Sequence, residues 1–252
     1  MAKLLRKNYL FGIPNGFEML SEEEVPQTEA SVFDGLLNKQ IARMDLDGRT
    51  VLAEEYHELV AAICDCDACL TVNYQKRQDR AEDTVFWKTG ASFLRADVVD
   101  DCFVFVAEDA AGIKSHFSTV VIESRDEVER KSVTIPHIAL AKAKRALANE
   151  KEDDAKRTLL QNGAGNLTDA ILFGLKEEAD YLGLLLMVNK PVEKPMTQAA
   201  FLCAGGILLE LSETVMNYRN STAFSVCSEA DAANQIQAFY DQFAAPSKET
   251  LL

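Results

Sequence analysis

Apolar residues recur with two different periods along this 252-residue chain. Near the start they follow the 3.6-residue period of an amphipathic helix, with charged residues between the apolar positions. We predict helices over Ser31–Arg43 and Val51–Ile63, separated by the turn Asp45-Leu46-Asp47-Gly48. Residues 1–30 are expected to form an irregular entrance to the fold.

From Leu70 the apolar period shortens towards two residues, which is typical of strands. Short polar segments separate the strand patterns, so we predict an antiparallel meander. Its strands are Leu70–Tyr74, Thr84–Lys88, Ser92–Val99, Cys102–Ala107 and His116–Ile122. Residues Cys102–Val106 are apolar at successive positions, and we expect this strand to be central and buried on both faces.

The second half repeats the order of helices followed by strands. After Pro136, helices are predicted over Ile138–Asn149, Asp153–Leu160 and Leu167–Ala179, with a break at Gly163 and Gly165. The strands that follow are Tyr181–Val188, Ala199–Cys203, Ile207–Leu211, Thr214–Tyr218 and Ala223–Cys227.

A capping pattern closes each meander. Ser124 and Ser228 are each followed three residues later by an acidic residue, which predicts a helix start after each serine. The sequence therefore predicts an α+β fold, with a central antiparallel meander sheet flanked by helices and built from two topologically similar halves. We assign one domain to residues 31–243, its halves to 31–130 and 137–243, and a flexible tail to 244–252.

The charge balance narrows the range of partners. The chain has 26 basic and 40 acidic residues, a net charge of −14, so nucleic acid and anionic membranes are poor expected partners. Its strongest apolar run, Tyr181–Val188, is far shorter than the roughly 20 residues of a membrane helix. We expect a cytoplasmic protein, a monomer or weak homodimer, whose six cysteines are thiols.

Several residues are candidates for metal binding or nucleophilic catalysis. Cys64, Cys66 and Cys69 form a C-x-C-x-x-C cluster with His57 two helical turns before it, but no second ligand pair is present to complete a structural zinc site. Core and loop thiols are the favoured interpretation. A Cys–His nucleophile using His57, His116 or His137 is disfavoured for lack of a defining pattern.

Two further patterns resemble a phosphate-binding loop and a DNA-binding fold. Gly163-Ala164-Gly165-Asn166 lies between helical patterns and lacks the lysine of a phosphate loop, so a helix-breaking turn is favoured. The two N-terminal helices followed by strands resemble a winged-helix layout, but the second helix is acidic where DNA would require basic residues. We therefore predict no enzyme activity, no catalytic residues, no metal and no cofactor.

The order of elements resembles the EspG-type chaperones of type VII secretion. The resemblance rests on helix Ser31–Arg43, the turn Asp45–Gly48, helix Val51–Ile63, and the strand Ala223–Cys227 running into the helix Ser228–Phe243. It implies a non-catalytic cytoplasmic chaperone that keeps a helical-hairpin secretion substrate soluble. No single motif carries a binding residue across, so the residues that bind the partner remain unassigned.

The chain lacks the signals that mark secreted substrates of such systems. Trp87 is followed by Lys88 and Thr89 rather than by a Trp-x-Gly turn, and no tyrosine has an acidic residue four positions later. The expected partner is a secreted helical-hairpin protein, or a toxin, from the same locus. Two alternatives stay open: an immunity protein whose acidity suits a basic toxin site, and an enzyme of unrecognised type.

Overall fold

The computed structural model describes residues 21, 23–77, 82–99, 102–119, 131–189 and 196–245. Its helices in these ranges are α1 (Glu24–Asn38), α2 (His57–Cys64), α3 (Ala110–Thr119), α4 (His137–Ala148), α5 (Glu152–Gln161), α6 (Thr168–Leu175) and α7 (Glu229–Ala244). Its strands there are β1 (Ala42–Met44), β2 (Thr50–Leu52), β3 (Ala68–Gln75), β4 (Glu82–Thr89), β5 (Ser92–Val99), β6 (Cys102–Glu108), β7 (Ser132–Pro136), β8 (Asp180–Val188), β9 (Met196–Ala204), β10 (Ile207–Met216) and β11 (Arg219–Val226).

Nine of these strands form one antiparallel sheet in the order β6-β5-β4-β3-β8-β9-β10-β11-β7. Two four-stranded meanders, β3 to β6 and β8 to β11, meet at the central pair β3–β8, where Ala68 lies opposite Val188 and Gln75 opposite Tyr181. The predicted α+β fold with a central antiparallel sheet and flanking helices is confirmed. That the two halves are topologically similar and can be superposed at least coarsely stays a prediction.

The two faces of the sheet are covered by different helices. Alternate residues of neighbouring strands share a face, so the registers assign each side chain to one side. The first face carries Leu70, Phe86, Leu186 and Phe201 and packs against α3 and α7. On the second face, α2 packs over β4, whereas α4 and α6 pack over β7, β9 and β11.

The N-terminal helices differ from their predicted bounds. Helix α1 begins at Glu24, inside the predicted irregular entrance, and ends at Asn38. Arg43 and Val51 lie in the small hairpin β1–β2, because Asp45 folds its connection into a tight turn by accepting hydrogen bonds from the backbone N–H groups of Asp47 and Arg49. The second predicted helix is therefore shortened to α2 and a preceding 3₁₀ turn.

Three strand predictions in the first half need correction. β6 forms an edge of the sheet rather than its centre, and Val104 is 48% exposed there. Residues 116–119 of the predicted strand His116–Ile122 belong to helix α3, because Ile113 turns into the core on the first face. Strand β7, which lies between the two halves, is absent from the predicted elements, because the capping pattern at Ser124 and Pro136 led us to expect helices on both sides of it.

The second half follows its predictions more closely. α4, α5 and α6 begin within one residue of their predicted starts, and α6 ends at Leu175 instead of Ala179. β10 continues to Met216 instead of breaking before Thr214. Helix α7 begins with the predicted capping box, in which Ser228 and Asp231 exchange hydrogen bonds. The corresponding prediction at Ser124 lies outside the described residues, as do residues 1–20 and 246–252.

Candidate partner-binding groove

A groove lies on the second face of the sheet, between α2 on one side and α4 and α6 on the other. Its floor is formed by β3, β8 and β9, the middle of the sheet, with β10 at its margin. The groove encloses about 330 Å³ and is open to solvent. Its lining residues are Thr71, Asn73, Tyr181, Gly183, Leu184, Leu185, Gln198, Ala199, Ala200, Leu211 and Glu213.

The helices on either side of the groove are packed tightly onto the sheet, whereas the residues that line the groove all come from strands. On the α2 side, Ile63 packs with Cys69, Val85 and Trp87, all of them buried. On the other side, Gly174 of α6 approaches β9 so closely that a Cβ there would lie 2.6 Å from Leu202 Cδ2. Neither helix can shift over the floor without unpacking buried side chains, so the opening is preorganised.

The floor is mostly neutral and mixes small and apolar side chains with polar ones such as Thr71, Asn73 and Gln198. Leu185, Ala200 and Leu211 are half-buried, whereas Leu184 and Ala199 alternate onto the opposite face. The ring of Tyr181 lies across Gly183, where an added Cβ would meet the phenol oxygen at 2.8 Å. Burial raises the pKa of Tyr181, so its hydroxyl stays protonated at neutral pH and can donate a hydrogen bond.

Glu213 stands at the margin of the groove, next to the start of α4. Its carboxylate accepts a hydrogen bond from the Thr222 hydroxyl at 3.2 Å, and its Oε2 lies 2.6 Å from Nε2 of His137. Of the described lining residues, Tyr181 and Glu213 are the two that titrate. Such a lining suits binding of an apolar or mixed surface better than acid–base chemistry.

From Ser212 onward, the hairpin β10–β11 extends past its pairing with β9 as a two-stranded arm. The β9–β10 ladder stops at Leu211 opposite Ala200, and the β11–β7 ladder begins at Ser221 opposite Pro136. Residues 212–220, which we name the β10–β11 arm, are all exposed. The arm carries Val215, Met216 and Tyr218, exposed by 68%, 37% and 103%.

The thiol cluster weighed from the sequence lies in the core and not at the groove. Cys66 and Cys69 are buried, and burial followed by the charge of Asp67 raises the pKa of Cys66 to about 12. A thiolate is the form that binds zinc, so this environment opposes metal binding. Nε2 of His57 instead lies 3.2 Å from the carbonyl of Leu52, and no group of three potential metal ligands occurs in the described ranges.

The other candidate residues are dispersed. His116 packs edge-on against Phe86 on the first face, where burial and then Arg95 lower its pKa. The segment Gly163–Asn166 forms the predicted turn between α5 and α6, with positive φ at both glycines. The apolar strand positions Leu184, Leu186, Val188 and Phe201 could by sequence serve the core or a partner surface, and core is the favoured use. Leu184, Leu186 and Phe201 lie in the core, and Val188 is half-buried.

Sequence reasoning missed the groove and the arm. The groove exists because the helices cover only part of the second face of the sheet, and no local sequence pattern determines where each helix packs. One sequence feature points to the arm. The polar residues Ser212 and Glu213 interrupt the apolar pattern, and this interruption predicts a break between two strands instead of an exposed continuation of one strand.

In the described part of the chain, no helix is long and apolar enough to cross a membrane. No protein-family model matches the sequence, and no curated protein matches it. Among solved structures, the chain is similar to the Mycobacterium tuberculosis type VII secretion system chaperone EspG5, solved in complex with a PE25–PPE41 dimer. The TM-score is 0.47 with 9% sequence identity, over 98% of this chain and 94% of that chain.

Proposed function

We propose that this protein is a non-catalytic cytoplasmic chaperone that binds a helical-hairpin secretion substrate in the groove and keeps it soluble. The observation that carries the proposal is an uncovered, preorganised strip of β3, β8 and β9 between two packed groups of helices. The order of elements in the sequence, which resembles EspG-type chaperones, supports the same proposal.

The size of the groove suits a helix. Three neighbouring strands span roughly 10 Å between the outer two, and an α-helix with its side chains is about 10–12 Å across. From Tyr181 to Leu185, the part of β8 that lines the groove offers about 13 Å of floor, which matches about nine residues of helix. One helix of a hairpin therefore fits the floor lengthwise.

The chemistry of the floor suits an amphipathic helix. Leu185, Ala200 and Leu211 offer apolar contact, while Thr71, Gln198 and Glu213 provide a polar rim. A hairpin tip that aggregates alone would bury its apolar stripe against such a floor, and the gain would appear as solubility.

Co-expression tests this function. Each small helical-hairpin protein encoded beside this gene is produced with the wild-type chain, with Ala200→Arg, or with Leu160→Arg. Ala200→Arg places a long charged side chain on the groove floor, whereas Leu160 is 51% exposed on α5 and gives the same charge change elsewhere. We expect soluble, co-eluting hairpin with wild type and Leu160→Arg, and loss of both with Ala200→Arg.

The same experiment separates the chaperone from the immunity protein. Inhibition of a neighbouring toxin at equimolar ratio, while every hairpin stays insoluble or elutes apart, would replace the chaperone proposal. The net charge of −14 is the feature that favours that second function.

A further inference from the structure

The β10–β11 arm ends in a turn whose backbone conformation is strained. Asn217 and Tyr218 both have positive φ, 50° and 61°, the combination required by a two-residue type I′ hairpin turn. Asparagine tolerates this region, but a residue with a bulky side chain is strained there.

The neighbouring hairpin meets the same requirement without strain. Between β9 and β10 the turn residues are Gly205 and Gly206, with φ of 61° and 85°. Glycine adopts these values freely, so the arm would be more stable with glycine at position 218. Neither the turn nor the core explains Tyr218, because its side chain is 103% exposed.

Apolar residues surround the arm on the groove side. In the β10–β11 ladder, Val215 projects to the same side as Glu213, two residues before it, and Met196 begins β9 beyond the end of the β9–β10 ladder. Met196 is 57% exposed, and Ile138, next to His137 at the start of α4, is 59% exposed. The contact between His137 and Glu213 holds the start of α4 beside the base of the arm.

We propose that the β10–β11 arm is a second contact for the helical hairpin bound in the groove, with Tyr218 as its anchor; this inference rests on the proposed function. The groove floor accommodates one helix, and the second helix of a hairpin lies about 8–10 Å from the first. The arm extends from the groove margin, and we place the second helix or its connecting loop against Val215, which lies on the same side as Glu213, and against the exposed Tyr218 of the turn. Tyrosine and methionine are enriched at such interfaces, and an exposed tyrosine loses little side-chain freedom on binding.

Four variants test the arm with the hairpin proteins encoded beside this gene. Tyr218→Gly removes the anchor side chain and relieves the backbone strain, whereas Tyr218→Phe keeps the aromatic ring. Leu46→Gly is the matched control, because it removes a 108% exposed leucine from the β1–β2 turn, and Ala200→Arg blocks the groove. Binding is measured by titrating the purified hairpin and following its anisotropy, and the melting temperature of each variant is measured alone.

For Tyr218→Gly we expect a melting temperature equal to or above that of wild type, together with a Kd raised at least tenfold. Tyr218→Phe is expected to bind within about threefold of wild type, and Leu46→Gly to bind like wild type. A residue that serves only the fold would not combine an unchanged or higher melting temperature with weaker binding.

Failure of the arm and failure of the groove give different results. If wild type binds a hairpin, Ala200→Arg does not, and Tyr218→Gly binds as tightly as wild type, the arm is not a contact and the proposed function stands. If wild type binds none of the hairpins, the proposed function fails and the arm loses its occupant. Binding of a toxin through Tyr218 would overturn the inference by assigning the arm to another partner.

Discussion

Cys66 links stability to pH at the level of a single side chain. Its pKa is raised from 9.0 to about 12, by burial first and by Asp67 second, so the folded state keeps a proton that the unfolded chain releases above pH 9. We therefore expect the free energy of unfolding to be unaffected by this thiol below pH 9 and to fall between about pH 9 and 12. The slope is about 1.4 kcal/mol per pH unit for one thiol.

Urea unfolding at pH 7.5 and pH 10 measures this loss. Cys66→Ala removes the thiol and should lose less stability than wild type between the two pH values. Cys227→Ala should remove a similar part of the loss at pH 10, because burial raises the pKa of Cys227 to about 11, which is also above that pH. Equal pH dependence in wild type and Cys66→Ala would show that Cys66 ionises normally in the folded state.

At the scale of elements, α6 packs closely against β9 beside the groove. Gly174→Ala would place a methyl group 2.6 Å from Leu202 Cδ2 and 3.2 Å from its Cδ1. We expect a loss of about 1–3 kcal/mol from overpacking, reduced by up to about 1 kcal/mol of gained helix propensity.

Gly35 in α1 is the control for that substitution. A Cβ at Gly35 meets nothing within 4 Å, so Gly35→Ala should raise the free energy of unfolding by about 0.5–1 kcal/mol. Chemical denaturation of both variants measures the difference. Stabilisation by both alanines would mean that α6 has room to move and is not fixed beside the groove.

At the scale of the whole molecule, α7 joins the two meanders. Phe243 lies 6.4 Å from the ring of Phe86 and 5.8 Å from that of Phe93, and the Lys88 ammonium donates a hydrogen bond to the carbonyl of Ala245 at the helix end. Because the second half closes over the core of the first, we expect the two to unfold together.

Two optical signals test this cooperativity. Trp87, the single tryptophan, is buried in the first half, whereas far-ultraviolet circular dichroism reports on the helices of both halves. The two denaturation curves should coincide. Phe243→Ala should lower the unfolding free energy by about 3–5 kcal/mol, and Phe173→Ala, at a position 42% exposed, by less than about 1 kcal/mol. Separate transitions for fluorescence and circular dichroism would show that the halves are independent.

Local patterns determined the elements whose signals are contained within a few residues. The Ser228 capping box, the alternation of Ser92–Val99, and the proline and glycines bounding α4 to α6 act through neighbouring backbone groups, so the sequence predicts them directly. The α+β class follows from the same patterns, because helix and strand periods differ.

Tertiary structure alone decided the position of each element and the surface it leaves open. The continuous apolar pattern of β6 predicted the centre of the sheet, yet the pairing of β3 with β8 puts β6 at an edge. His116 lies in helix α3 because Ile113, in the same helix, packs with α7 into the core on the first face of the sheet. The groove and the arm arise from where α2, α4 and α6 stop covering the second face, and that depends on contacts between residues distant in the chain.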